Sequence, residues 1–227
     1  MSELPALLSE RLDAVRVGVA SAAAAAGRRP EDITTVVVTK FHPVSLIRDL
    51  YGLGVRDFGE NRHQEAQQKA ADLSDLDLRW HFVGQIQGKK IRQVAEYADV
   101  LHSFDRVRLV EALPRTGRTL SCFLQINMTD DRNRGGVSPD ELLPVAERVL
   151  GHPLLRLRGV MAVAPLGEEP ARAFARLRRY SEDLRQIAPD STEISAGMTQ
   201  DYVQAVAEGA THLRIGTAIT GNRPDTV

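Results

Sequence analysis

Hydrophobic positions change their period along this chain, and those changes divide it into elements. From about Pro5 to Ala26, the residues Leu8, Leu12, Val15 and Val19 recur at three- and four-residue steps. This predicts an amphipathic helix, with Gly27 as its stop. Beyond it, short β-branched or apolar runs alternate with helical patterns. The runs predict eight strands: Thr34–Thr39, Arg56–Gly59, Arg79–Gly84, Val100–Phe104, Leu120–Asn127, Arg156–Val163, Glu193–Gly197 and His212–Gly216. Helices are predicted between them, over Val44–Leu53, Asn61–Ala71, Lys89–Ala98, Val107–Leu113, Asp140–Leu150, Pro170–Ile187 and Gln200–Glu208. Ser138-Pro139-Asp140-Glu141 reads as a helix start, with a capping serine and a proline at the first helical position. Glu208-Gly209 reads as a helix stop.

Regular alternation of strands and helices predicts a parallel sheet, and eight such units close into a (β/α)8 barrel. A doubly wound open sheet is the alternative. That fold usually carries a glycine-rich first turn, and Lys40-Phe41-His42-Pro43 is not one. No linker, low-complexity tract or short repeat interrupts the pattern. With eleven residues after Gly216, the expectation is a single domain over 1–227.

Composition narrows the partners. At 43% hydrophobic content, 227 residues can bury a large core. A net charge of −1 offers no field for nucleic acid or an anionic membrane. The one cysteine, Cys122, rules out an internal disulfide and lies in the apolar segment Leu120 to Ile126, which reads as a packed thiol in a reducing compartment. There is no basic-then-apolar leader, and the Ala22–Ala26 run is far below spanning length. The expected location is the cytoplasm.

In a barrel, chemistry gathers where strands end at their C-termini. Lys40 closes the first β-branched run, and strand alternation puts Val36, Val38 and Lys40 on one face. A lysine leaving an apolar face loses its charge more easily, and a neutral amine can attack an aldehyde to form a Schiff base. A lysine snorkelling to water is the plain reading. Ser195-Ala196-Gly197-Met198-Thr199 and Gly216-Thr217 are glycine-and-hydroxyl turns at the ends of strands seven and eight, the usual place for a barrel's phosphate site. Arg214 shares a strand face with His212 and Gly216, so an inward face sets an arginine beside that turn. Its plain reading is an interior salt bridge. His81 with Gly84, His102-Ser103, Asn127 and Met161 also stand near strand ends; the two histidines could serve a site, and a hydrogen-bonded structural role is the plain reading of each. The six histidines show no H-x-x-x-H spacing, and neither a G-x-S-x-G elbow nor a P-loop is present.

A lysine on strand one with a phosphate turn on strands seven and eight resembles a fold-type III pyridoxal phosphate (PLP) site, the barrel of alanine racemase N-terminal domains. Seven stretches are similar to the pyridoxal phosphate homeostasis proteins, the YggS/PROSC family, over nearly the whole chain. They are Val-Val-Val-Thr-Lys (36–40), Phe-Gly-Glu-Asn (58–61), Trp-His-Phe-Val-Gly-Gln-Ile-Gln (80–87), His-Ser-Phe-Asp (102–105), Gly-Val-Met-Ala-Val-Ala-Pro (159–165), Ser-Ala-Gly-Met-Thr (195–199) and Arg-Ile-Gly-Thr-Ala-Ile (214–219). The resemblance implies that Lys40 forms the internal aldimine and that Asn61 lies near the cofactor ring. It implies that Arg214 approaches the pyridine nitrogen, and that Thr199, Gly216 and Thr217 hold the phosphate with Ser195 close by. Ser-Ala-Gly-Met-Thr departs from the family's Ser-Met-Gly-Met-Ser, keeping a hydroxyl at the end. Lys40-Phe41-His42-Pro43 departs from Lys-Thr-Lys/Arg-Pro, Thr220 stands where phenylalanine is common, and Arg132-Asn133-Arg134 replaces a lysine-bearing loop.

Membership implies a cytoplasmic carrier that holds PLP as a lysine aldimine, in vitamin B6 and amino-acid homeostasis, without established catalysis. Its implied partners are PLP, free amino acids and PLP-dependent apoenzymes, and the chain is expected to be a monomer or weak dimer. The alternative is a single-domain fold-type III enzyme, an amino-acid racemase or decarboxylase. Related racemases take an acid–base tyrosine from a second domain, whereas Tyr51, Tyr97, Tyr180 and Tyr202 all fall in helical segments here. A lysine-dependent aldolase would need carboxylates at the mouth, and only Glu60 and Asp105 stand near strand ends.

Overall fold

The structure, a computed structural model, describes residues 3–131 and 134–222. Arg132 and Asn133 of the departing loop therefore lie outside the described residues. Strands β1 (Thr34–Val38), β2 (Asp57–Glu60), β3 (Arg79–Phe82), β4 (Val100–Phe104), β5 (Leu120–Gln125), β6 (Leu155–Met161), β7 (Glu193–Ser195) and β8 (His212–Ile215) join in chain order. The sheet is parallel throughout and closes, because β1 pairs with both β2 and β8. The open-sheet alternative is thereby excluded. Around the strands run α2 (Val44–Gly52), α3 (His63–Asp72), α4 (Ile91–Tyr97), α5 (Val107–Ala112), α6 (Leu142–Leu150), α7 (Pro170–Arg185) and α8 (Tyr202–Ala207). An extra turn of helix, α9 (Thr217–Thr220), follows β8 and was not anticipated from the sequence pattern.

The first helix, α1 (Glu3–Ala25), crosses α8 and α9 and reaches α2. Leu8, Leu12, Val15 and Val19 are all buried, so the sequence stripe is the packed face. Arg28, just past the helix, donates to the carbonyls of Val206 and Ala210 and ties this end to α8. Ser138 differs from expectation. Its hydroxyl bonds the Glu141 carboxylate at 2.8 Å and caps no backbone N–H, because residues 139–141 form a 3-10 turn ahead of α6.

Alternation along the strands separates two interiors. Val37, Phe58, Leu101, Cys122, Leu124, Val160, Leu213 and Ile215 face the helices in one large apolar core. Burial in that core pushes the Cys122 thiol up to about 12, so it is a packed thiol. Inside the barrel, Val100, Phe123 and Met161 form a small separate cluster. The rings of His81, His102 and His212 pack with one another, and His102 and His212 also pack on Phe123. The centre of this barrel is thus polar as well as aromatic, where branched aliphatic layers are the rule.

Candidate functional site

The mouth begins at β1. The ladder stops at Val38, and Lys40 stands exposed in the turn that follows. The expected lysine on a desolvated strand face is corrected here: the turn swings it into the open. The cause is local. Phe41 has φ +68, the only positive φ of a non-glycine among the described residues. A left-handed conformation costs a bulky residue about 1–3 kcal/mol and persists only where its surroundings impose it. The surroundings are an ionic cluster on β2 and α3. Lys69, in α3, is buried, and its ammonium donates to the Thr39 carbonyl (2.8 Å), Glu60 Oε1 (2.7 Å) and Glu65 Oε1 (2.7 Å). Thr39 Oγ1 donates to the same Glu60 oxygen at 2.8 Å, and the Phe41 N–H donates to Glu65 Oε1 at 2.6 Å. Burial pushes the Glu60 carboxyl up, against the pull of Lys69 and Thr39.

Beside β1, where β8 closes the barrel, Thr199 Oγ1 and Thr217 Oγ1 lie 3.5 Å apart, one from the β7–α8 turn and one from the start of α9. Gly197, at φ +92, lets that turn close on α8: a Cβ there would stand 2.7 Å from the Ala205 Cβ. Gly216 abuts β1, since a Cβ on it would lie 3.5 Å from the Val38 carbonyl, two residues before Lys40. The first N–H groups of α9 have no partner within the helix, as at any helix start. Thr199, Thr217 and Gly216 therefore lie together beside the end of β1, two residues before Lys40.

Arg214 lies beneath them, inward-facing as strand alternation predicts, and buried. No interior salt bridge holds it among the described residues. Its guanidinium donates to Ser195 Oγ at 2.7 Å and to the Ala162 carbonyl at 2.8 Å. Burial lowers it to about 10, so it remains a cation at neutral pH. Ser195 is fully buried, and its hydroxyl is spent on Arg214 and on His102 Nδ1, at 2.8 Å. It underpins the arginine and leaves the mouth to the threonines.

The histidines continue this line downward. His102 Nε2 meets His81 Nδ1 at 2.9 Å, and His81 Nε2 meets Asp57 Oδ1 at 2.9 Å, where Arg79 also bonds. Arginine only donates and a carboxylate only accepts, which fixes every tautomer of the neutral chain. Protons point from Arg214 to Ser195, His102, His81 and Asp57. The opposite order would set a bare His81 Nε2 against the carboxylate. Burial first, and then the neighbouring His81 and Arg214, hold His102 well below the usual imidazole range. For Asp57, burial alone would raise the carboxyl, but His81 and Arg79 outweigh it and hold it low. His81 and His102 are therefore interior linkers with the hydrogen-bonded structural role expected of each, although they lie within the barrel and not at the strand ends where the sequence pattern set them.

Asn61 stands two residues before α3, outside the helix expected to contain it. Gly84 presses on it so closely that a Cβ at that glycine would overlap the Asn61 carbonyl. Its Oδ1 is buried without a partner. A cavity of about 660 Å³ opens beside it, bounded by Arg62, Gln85, Gln87 and Lys90 among others. Asn127 braces its own loop, bonding Asp131 and Thr129, and Met161 belongs to the barrel interior. Glu60 gives Oε1 to Lys69 and Thr39, while its Oε2 is buried without a partner among the described residues; Asp105 bonds Arg106 and the Gly136 N–H. Sequence reasoning missed Lys69 and Asp57. The Glu65–Lys69 spacing of four on one helix was the available signal for the first.

The profile of the family described as "Alanine racemase, N-terminal domain" matches residues 11–224. A pyridoxal phosphate homeostasis protein of Pseudomonas aeruginosa is 41% identical over 223 residues, covering 95% of this chain and 96% of that protein. The structure of PipY from Synechococcus elongatus, with PLP bound, has a TM-score of 0.82 at 37% identity, covering 94% of this chain and 100% of the other. Alanine racemase of Corynebacterium glutamicum shares the fold, with a TM-score of 0.70 at 18% identity, over 94% of this chain and 61% of its own.

Proposed function

We propose, from the premise that this chain belongs to the pyridoxal phosphate homeostasis protein family, that its barrel mouth holds pyridoxal 5'-phosphate and that the protein manages this cofactor without catalysis of its own. The observation that carries the reading is Arg214, a buried cation whose hydrogen bonds among the described residues go to neutral oxygens, on the floor of a mouth that presents Lys40 and paired threonine hydroxyls. The residues fit the group. Asn61 Oδ1 is an orphaned buried acceptor suited to a ring substituent, and the Thr199–Thr217 pair with Gly216 suits a phosphate. When bound, the cofactor supplies an aldehyde that condenses with amines.

In this reading Lys40 is the resident amine, exposed and free of hydrogen-bond partners on the described residues. Thr199, Gly216 and Thr217 hold the phosphate, and Arg214 faces the ring nitrogen with Ser195 and Ala162 fixing its plane. Arg214 is held as a cation, which disfavours a second positive charge on the adjacent nitrogen and so weakens the ring as an electron sink. A general base is the other requirement for α-carbon chemistry. Tyr51, Tyr97, Tyr180 and Tyr202 lie in α2, α4, α7 and α8, and the Tyr202 hydroxyl packs against Gly18 of α1. Both points support a carrier over a racemase or decarboxylase, and the engaged Glu60 and Asp105 disfavour an aldolase. The cavity beside Asn61 gives free amino acids room to reach the mouth. Apoenzymes that need the cofactor are the proposed recipients, the proposed location is the cytoplasm, and the proposed state is a monomer or weak dimer. Among the described residues no helix is long and apolar enough to cross a membrane.

The test is chemical. Protein loaded with the cofactor is expected to absorb in the visible, and borohydride is expected to fix a pyridoxyl group on Lys40 in peptide mapping. A label on Lys89 or Lys90 instead would overturn the assignment.

A further inference from the structure

The ionic cluster of Lys69, Glu60 and Glu65 touches the backbone on both sides of Lys40 and leaves its side chain alone. Lys69 Nζ has three protons and three acceptors, and one of these is the Thr39 carbonyl. The two glutamates then each take one more bond from the turn, from the Thr39 hydroxyl and the Phe41 N–H. Thr39 and Phe41 flank Lys40, and the His42 N–H closes the turn on the Thr39 carbonyl at 3.1 Å. An ammonium with two carboxylates is more than a surface turn needs. It is also set deep, with the Lys69 side chain 6% and the Glu60 side chain 1% exposed.

We propose that Lys69, Glu60 and Glu65 are positioning residues for Lys40, holding residues 39–42 in the left-handed turn that delivers its amine to the mouth. The inference rests on the cofactor reading above. Capture joins the Lys40 nitrogen to the aldehyde carbon with loss of one water, the aldehyde oxygen leaving with the two amine protons. A lysine side chain has four rotatable bonds, so a fixed backbone origin decides how often its nitrogen meets the aldehyde. The cluster works through that origin, by its bonds to the Thr39 carbonyl, the Thr39 hydroxyl and the Phe41 N–H.

A pair of ligands separates positioning from plain stability. Pyridoxine 5'-phosphate keeps the ring and phosphate but carries an alcohol where the aldehyde stands. In Lys69→Met, pyridoxine phosphate is expected to bind as in the parent. The advantage of pyridoxal phosphate over it is expected to shrink by about tenfold to a hundredfold, with slower growth of the visible band. Glu65→Ala is expected to do the same. Glu65→Gln, whose amide oxygen still accepts from the Phe41 N–H, is expected to do less, and this pair decides the matter if Lys69→Met does not fold. Equal weakening of both ligands, or an unchanged advantage, would overturn the positioning role. A parent that binds neither ligand would sink the cofactor reading itself.

Discussion

Ser195→Ala tests the buried chain where it is most exposed to loss. The hydroxyl accepts from Arg214 at 2.7 Å and serves His102 Nδ1 at 2.8 Å, and Ser195 is fully buried inside the barrel. Removing it deletes one hydrogen bond from a charged donor, worth about 1.5–3 kcal/mol. It also leaves a buried imidazole nitrogen unpaired, at about 1–3 kcal/mol. The vacated space is smaller than a water molecule, so solvent cannot replace the bond. The lower ends of these ranges add to about 2.5 kcal/mol of lost stability. Arg214 keeps its bond to Ala162, which caps the damage. Trp80, the sole tryptophan, is buried in β3 and reports unfolding in urea by fluorescence. The midpoint is expected to fall with the slope unchanged. Adding His102→Phe removes the orphaned nitrogen along with the ring's other bond, so the double variant is expected to cost less than the two singles summed. A loss within about 0.5 kcal/mol for Ser195→Ala, the range of an inconsequential surface change, would refute the account of a fully engaged chain.

Three further outcomes follow from the same geometry. Thr199→Ala with Thr217→Ala is expected to weaken pyridoxal phosphate by about a hundredfold, two bonds at about 1.5 kcal/mol each, and pyridoxal hardly at all; calorimetry with both ligands checks it. Stability is expected to fall as pH drops below the usual imidazole range. Burial, then His81, hold His102 well below that range and His212 at about 3, so the unfolded chain binds protons that the folded chain refuses. Two such protons give a slope of up to about 2.7 kcal/mol per pH unit, read from urea midpoints between about pH 7 and about pH 5.5; Glu60, pushed up, offsets part of the fall at the acid end. The loaded protein is expected to change its spectrum on addition of an amino acid, yet to exchange no α-hydrogen with deuterated water above the rate of free cofactor. Fast, stereospecific exchange that vanishes in Lys40→Ala would make it an enzyme.

Where the pattern of hydrophobic residues spoke, it spoke reliably. The period-two run at His212–Arg214 put the arginine inward, and strand order needed only regular alternation. Strand ends were less legible, because an apolar run outlasts the strand: beyond β5, Ile126 bonds the Met161 carbonyl and forms an isolated bridge to Val137. Lys69 looked like any helix-surface lysine, since what buries it is the fold of β1 and β2 over α3. His102 and Ser195 are 93 residues apart in sequence, and only closure of the barrel makes them partners. The exposure of Lys40 matches its plain reading, but the turn that produces it was not legible: a left-handed phenylalanine has no signature in hydrophobic pattern, and the side chains bonded to that turn lie on other elements.

The line from Arg214 to Asp57 has a direction, and direction in a hydrogen-bonded row is a collective property. Each link takes its sense from its neighbour, so no single ring or hydroxyl can turn over alone without setting two protons or two lone pairs face to face. The row has two self-consistent polarities. One ends on an ionised Asp57, as here; the other requires a proton added at the Asp57 end, after which both imidazoles and Ser195 must reverse together. The barrel axis thus carries a vector whose sign is set at its lower rim, about which the side chains around it have no independent say.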